Sequence, residues 1–421
     1  MARYKVNGEY KVLMVVMNLV VGDSRVIKCA ETLYTHGFDV LLIGYNPKAG
    51  KTEGAVINQS FPFPCILVNG ISRKFKEFAE LSYEEFHELR ERSFATEIQK
   101  LIHQHQPTIL HTHDMHLVKV GKLVMEETGV YWIHDLHEWV GGLTNINPEI
   151  YNASLKDEAE SIHSPYHLFT VSDDIATIYE KEYGLTTPPS LLLNVPYRFT
   201  EHREKQTLRE IIGLDSEIPL AVYCGQVKET RGVLNFIPAL KSLPDLHVAL
   251  VTNNRGEYLD EIMKLAAECN ASDRVHVTGY VEVEQLPHFL STATFGFHTM
   301  PKYGNGDVAL PNKLFEYIQS GLPVAVSNAK RMRKFVKEHN CGVIFNVDKP
   351  TSITRNVRNL LANISSYKPS EEMRSKFSWE NEEKQILSVY SQIFRVGQII
   401  SRGDVSNDLA KINSNIEVKK E

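Results

Sequence analysis

GDVALPNKLFEYIQSGLPVAVSN, residues 306–328, divides into a loop, a helix opened by Pro311, a stop at Gly321 and an apolar strand. Leu314, Phe315 and Ile318 recur at helical spacing and form one apolar stripe. The other face carries Asn312, Lys313 and Glu316. The strand that follows is an unbroken apolar run, the pattern expected where helices cover both faces of a parallel sheet.

The same alternation extends along most of the 421 residues. In the first half KVLMVVM, DVLLIG, PCILV, TILHTH, YWIHDLH and HLFTVS read as buried strands. Helical patterns lie between them, from about Ser24 to His36 and from about Ser72 to Gln106. The polar stretch NVPYRFTEHREK, from Asn194 to Lys205, reads as a hinge. LAVYCG, HVALVT, RVHVTG, TFGFHT, LPVAVS and GVIFN then restart the alternation. The expected architecture is therefore α/β, with two Rossmann-like doubly wound parallel-sheet domains facing across a cleft. Residues 1–195 form the first domain and 196–378 the second. An amphipathic helix over 379–395 returns to the first, and a polar tail covers 396–421. Ligands of such sheets bind beyond the carboxyl ends of the strands, so polar residues directly after strands are the candidates.

Composition excludes several classes. A formal net charge of −6 argues against a general nucleic-acid binder. The five cysteines (Cys29, Cys65, Cys224, Cys269 and Cys341) are scattered, with no CxxC pair. They give neither a disulfide framework nor a thiolate zinc site, and fit a reducing compartment. No signal-like N-terminus and no long apolar run is visible. The expectation is a cytoplasmic protein whose membrane contact, at an inner membrane face, is at most peripheral.

The polar face of residues 312–316 suggests a ligand. A helix N-terminus offers free N–H groups and partial positive charge to a phosphate. Lys313 adds a full charge, and Glu316 can accept hydrogen bonds from two sugar hydroxyls. A nucleotide presents both parts. The plainer alternative is a surface Lys–Glu pair at i,i+3, worth a few tenths of a kcal/mol. YCGQVKETRGV, from Tyr223 to Val233, adds a second stretch. Gly225 permits close backbone approach, while Arg231 and Gly232 open the next helix with a guanidinium suited to phosphate. An ordinary strand-to-helix loop with an exposed arginine would read the same way.

Taken in order, several segments resemble glycosyltransferases of the GT-B fold, family 4 among them. They are GDSRVIKCAETLYTHGFDV, HTHD, HDLHEW, TVSDDIATIYEKEYG, the Gly225–Gly232 loop, the Pro311–Val324 segment and FSWENEEKQILSVY. The resemblance implies that Glu316 holds the nucleotide ribose, with Lys313 and Arg231 facing the diphosphate. It implies that His137 stands at the reaction centre and Gly22 belongs to the loop near the distal phosphate and acceptor. Gly225, Gln226 and Asn312 would complete the donor side; Asp23, Arg25, Asp135 and Glu138 would lie on the acceptor side. Many members carry a second glutamate eight positions before the ribose glutamate, where this chain has Val308; Asp307 or Asn305 would substitute. Many also have arginine where this chain has Gln226. The implied reaction moves a sugar, with retention and without metal, from a nucleoside diphosphate sugar to a glycan, lipid-linked or protein acceptor. The nucleotide sugar is a substrate, and no cofactor is implied.

Other readings compete. HTHDMH resembles a metal cluster, so a metallohydrolase using His111 and His113 is one, although Asp114 falls one position early. HDLHEW lacks the HExxH spacing, and a DxD pair is absent. GNGDVA, residues 304–309, matches a dinucleotide fingerprint but lacks its acidic partner. A non-catalytic nucleotide-sugar-binding subunit of a glycan assembly complex would keep Lys313 and Glu316. The basic run AKRMRKFVKEH, residues 329–339, reads as a solvated face before it reads as a lipid contact. Arg73, Lys74 and Lys76 beside Phe75 and Phe78 suggest a membrane-docking helix.

Overall fold

The structure, a computed structural model, describes residues 11–46, 55–56, 61–73, 78–144, 146–199 and 205–401. Its first sheet contains β1 (Lys11–Val16), β2 (Asp39–Asn46), β3 (Ala55–Val56), β4 (Cys65–Asn69), β5 (Ile109–His113), β6 (Tyr131–Leu136), β7 (His167–Thr170) and β8 (Ser190–Leu191). The strand order is β3-β4-β2-β1-β5-β6-β7-β8, parallel throughout except for antiparallel β3. The second sheet contains β9 (Leu220–Cys224), β10 (His247–Val251), β11 (Val275–Thr278), β12 (Phe295–His298), β13 (Val324–Ser327) and β14 (Gly342–Phe345). Its order is β11-β10-β9-β12-β13-β14, all parallel.

Most of these strands form because their side chains are apolar on both faces; β5 also buries His111, Thr112 and His113. Every residue of β5, β9, β12 and β13 is buried, under helices on each side. Two strands went unforeseen: β3 and β8 have two residues each, too few to show a period. The long helix spans Tyr83–His105 rather than starting near Ser72. A capping box between Ser82 and Glu85 fixes its start.

The expected helix after Gly232 is a run of 3-10 turns, Val233–Ser242. Pro238 lies inside it, and proline's missing N–H and ring clash oppose an α-helix there. The terminal helix Trp379–Ser401 continues past 396, where a polar tail was expected; residues 402–421 lie outside the described residues. Its first N–H donates to the Pro196 carbonyl at 2.8 Å, and the Trp379 indole donates to Thr32 Oγ1 at 2.9 Å. Ile386, Val389, Tyr390 and Ile393 share a core with Val12, Val26 and Leu33. Among the described residues no helix is long and apolar enough to cross a membrane. Lys74, Phe75 and Lys76, read above as membrane-docking, lie outside the described residues.

Candidate active site

The carboxyl ends of the two sheets face a cavity of about 630 Å³. One wall is His137, Glu138 and Gly142, from the segment after β6. The opposite wall holds Gly225, Lys228 and Arg231 after β9, His298 at the end of β12, and Asn312, Lys313 and Glu316 on one helix.

That helix is Asn312–Gln319, with Pro311 as its N-cap and Gly321 at φ +74° just beyond its end. Leu314, Phe315, Tyr317 and Ile318 are buried, which turns Asn312, Lys313 and Glu316 toward the cavity. Lys313 Nζ donates to the Tyr223 hydroxyl at 3.0 Å and lies 4.3 Å from the ring centroid. Burial lowers its ammonium to a pKa of about 8. Cys224 Sγ donates to Glu316 Oε2 at 3.0 Å. Burial still raises the Glu316 carboxyl, against the lowering effects of that bond and of Lys313. Gly225 adopts φ +111°, and a Cβ there would lie 3.1 Å from Lys313 Nζ. The bare backbone is what lets the loop approach the lysine.

His137 is held from below. Asp135 is fully buried and accepts from Arg25 Nε and from the adjacent guanidinium nitrogen, each at 2.7 Å. Arg25 also donates to the Leu192 carbonyl at 2.6 Å. His137 Nε2 lies 3.4 Å from Asp135 Oδ2. Burial works against the imidazolium, but Asp135 outweighs it and raises His137. Burial first, with Asp114 next, lifts Glu138 to about 6. On the other wall burial, reinforced by Lys313 and Arg231, keeps His298 neutral.

No curated protein matches the chain. The family model "Glycosyl transferases group 1" matches residues 204–384. The second half of the chain carries a group 1 glycosyltransferase domain. Solved structures similar to nearly the whole chain share the GT-B fold. A sucrose-phosphate synthase from Thermosynechococcus elongatus aligns with a TM-score of 0.72 and 16% identity, covering 92% of this chain and 100% of its own. Anabaena HepE in complex with UDP and glucose gives 0.70 and 13%, covering 91% and 100%. An E. coli trehalose-6-phosphate structure bound with UDP-2-fluoro glucose gives 0.65 and 11%, covering 91% and 98%.

Within the group 1 domain the cavity gathers Gly225, Arg231, Asn312, Lys313 and Glu316. His137 and Glu138 join from the first sheet. Gly22 and Asp23 line an adjoining cavity of about 770 Å³, which Asn312 also borders. Four other candidates are elsewhere. Arg25 and Asp135 are committed to their buried ion pair, so neither offers a free group to an acceptor. Gln226 is exposed and is not part of the cavity lining, although its carbonyl accepts from Tyr223. Asp307 accepts from the backbone N–H of Lys330 at 2.8 Å, at the start of the helix Lys330–His339, and is not part of the cavity lining.

His111, His113 and Asp135 do come within 4.8 Å of one another. The set is a poor fit for a cation, because Arg25 occupies both Asp135 oxygens and already neutralises the charge. His111 Nδ1 is engaged with the Tyr390 hydroxyl at 3.0 Å. The basic run at 329–339 is, as expected, largely a solvated face: Lys330, Arg333, Lys334 and Lys337 are exposed, and only Arg331 among its basic residues is buried. Lys330 meets Asp174 at 3.1 Å, while Arg331 and Lys334 meet Asp173 at 2.8 and 3.3 Å. Sequence reasoning passed over Tyr223, which seats Lys313, and His298. The strand-end rule applied to TFGFHT points to His298; nothing local flags Tyr223.

Proposed function

We propose that the chain is a metal-independent, retaining glycosyltransferase that moves a sugar from a nucleoside diphosphate sugar to an acceptor hydroxyl. The second domain takes the donor and the first presents the acceptor of a growing glycan, glycolipid or glycoprotein. The observation that carries the reading is the helix Asn312–Gln319, whose Lys313 and Glu316 line one wall of a cavity that has His137 and Glu138 opposite. Lys313 and Arg231 offer cationic charge to a diphosphate, and Glu316 accepts from a ribose diol one turn further on.

As the glycosidic bond breaks, the diphosphate oxygen gains negative charge. Arg231 and Lys313 stabilise that charge in a cleft that excludes water. The acceptor hydroxyl attacks from the face the diphosphate leaves, and its proton passes to the departing oxygen. His137, fixed by Asp135, orients the donor sugar from the acceptor side. The neighbouring structures named with UDP and with UDP-2-fluoro glucose make UDP-glucose the first donor to test.

The experiment is a thermal-shift and hydrolysis screen of nucleotide sugars with EDTA present. A donor that stabilises the chain and releases nucleoside diphosphate in EDTA supports the reading. Turnover that EDTA abolishes and Mg²⁺ restores refutes metal independence. Donor binding with no hydrolysis and no transfer to any sugar acceptor refutes the enzyme.

A further inference from the structure

The motif GNGDVA remains after the donor cavity is accounted for. Its Gly304–Val308 segment is a single helical turn that follows β12 and lies against Gly142 of the first half. Gly304 adopts φ +34°, and a Cβ there would lie 2.0 Å from the Gly142 carbonyl oxygen. Asn305 uses both ends of its amide on one residue. Its Oδ1 accepts from the Trp139 N–H and its Nδ2 donates to the Trp139 carbonyl, each at 2.9 Å. Three residues on, the Val308 carbonyl accepts from the buried Ser172 hydroxyl at 2.6 Å. Beside these contacts lie the ion pairs of Asp173 and Asp174 with Lys330, Arg331 and Lys334.

Trp139 directly follows Glu138 and stands two residues after His137. The segment from His137 to Gly142 is therefore fixed by the second domain as well as by its own sheet. We propose that the Gly304–Val308 turn is a docking element, with Asn305 the positioning residue that holds the His137–Glu138 loop over the donor when the two halves close. This rests on the proposed function for its catalytic meaning. A side-chain amide that satisfies both backbone groups of one residue is specific in a way the flanking ion pairs are not, because exposed pairs tolerate shifts in geometry. The same use of Asn305 leaves its amide committed, so it cannot replace the glutamate missing at Val308.

The test combines turnover with a distance. All five native cysteines are buried. Spin labels on cysteines introduced at the exposed positions Glu126 and Glu268 then report the separation of the halves by double electron–electron resonance. With UDP, the parent should show one narrow distribution. Asn305→Ala should broaden it toward longer distances and lower kcat at least tenfold, with the UDP dissociation constant and the Tm little changed. Gly304→Ala keeps the amide but adds a methyl group against Gly142, and should open the halves in the same way. Asn305→Asp retains an acceptor for the Trp139 N–H but loses the donor, and should recover no more than part of the rate. An Asn305→Ala protein with parental distances and kcat within twofold overturns the proposal. So does one whose UDP affinity falls in step with kcat, since that marks a donor contact. The distance readout needs no turnover. A chain that closes through Asn305 but transfers no sugar would overturn the proposed function and leave the docking role standing.

Discussion

Under the proposed function, Lys313 should make nucleotide binding depend on pH, with binding weakening as pH rises. Its ammonium lies over the Tyr223 ring, and burial has lowered it to about 8. A bound diphosphate brings negative charge to that ammonium and favours the protonated form, so its pKa rises on binding and a proton is taken up. In the free protein, a group of pKa about 8 is roughly nine-tenths charged at pH 7 and one-tenth charged at pH 9. Affinity for a nucleoside diphosphate should therefore fall about tenfold from pH 7 to pH 9, equivalent to about 1.4 kcal/mol. The ligand's own last ionisation, near pH 6, is complete across this window. Isothermal titration in buffers of different ionisation enthalpy should record uptake of about half a proton near pH 8. Lys313→Arg keeps its charge throughout and should flatten the profile. Lys313→Met should bind more weakly at pH 7 and also be flat. A parent whose affinity is constant from pH 7 to 9 would refute the reasoning, as would a Lys313→Met variant that keeps the slope.

Glu316→Ala removes hydrogen bonds to a charged acceptor, worth about 1.5–3 kcal/mol, so donor affinity should fall by one to two orders of magnitude with little change in Tm; an unchanged dissociation constant would remove the ribose assignment. Arg231→Ala should lower kcat more than it raises KM, with Arg231→Lys recovering part of the rate, and steady-state kinetics showing only a KM effect would make Arg231 a plain binding contact. Asp135→Ala leaves the buried Arg25 guanidinium uncompensated and should cost about 3–5 kcal/mol in urea unfolding, whereas an unchanged midpoint would show that the pair is not structural.

Most strands were legible because a strand buried on both faces is largely apolar, as in LAVYCG and LPVAVS. Lys313 and Glu316 were legible because helical spacing alone puts them on one face. Arg25 and Asp135 were not. Their partnership spans 110 residues, and a polar residue at a strand end reads alike whether it faces a ligand or a buried counter-charge. Asp307 shows the same ambiguity, since its partner is the backbone of Lys330, beyond a helix and a strand. Asn305 was singled out for the wrong reason: the sequence marks a polar residue near the expected sugar, while the structure commits its amide to Trp139. Pro238 lay in plain view, but its effect on the segment after Gly232 appeared only in the backbone.

The hydrogen bond from the Trp379 N–H to the Pro196 carbonyl ties together the two places where the chain passes between the sheets. At 2.8 Å apart, these crossings make the whole second sheet an insert with adjoining ends. Adjoining ends are the geometry a cassette exchange needs. Under the proposed function, a second half from another GT-B protein, joined at these two points and carrying a counterpart of Asn305 for Trp139, is the route to transplanting donor choice.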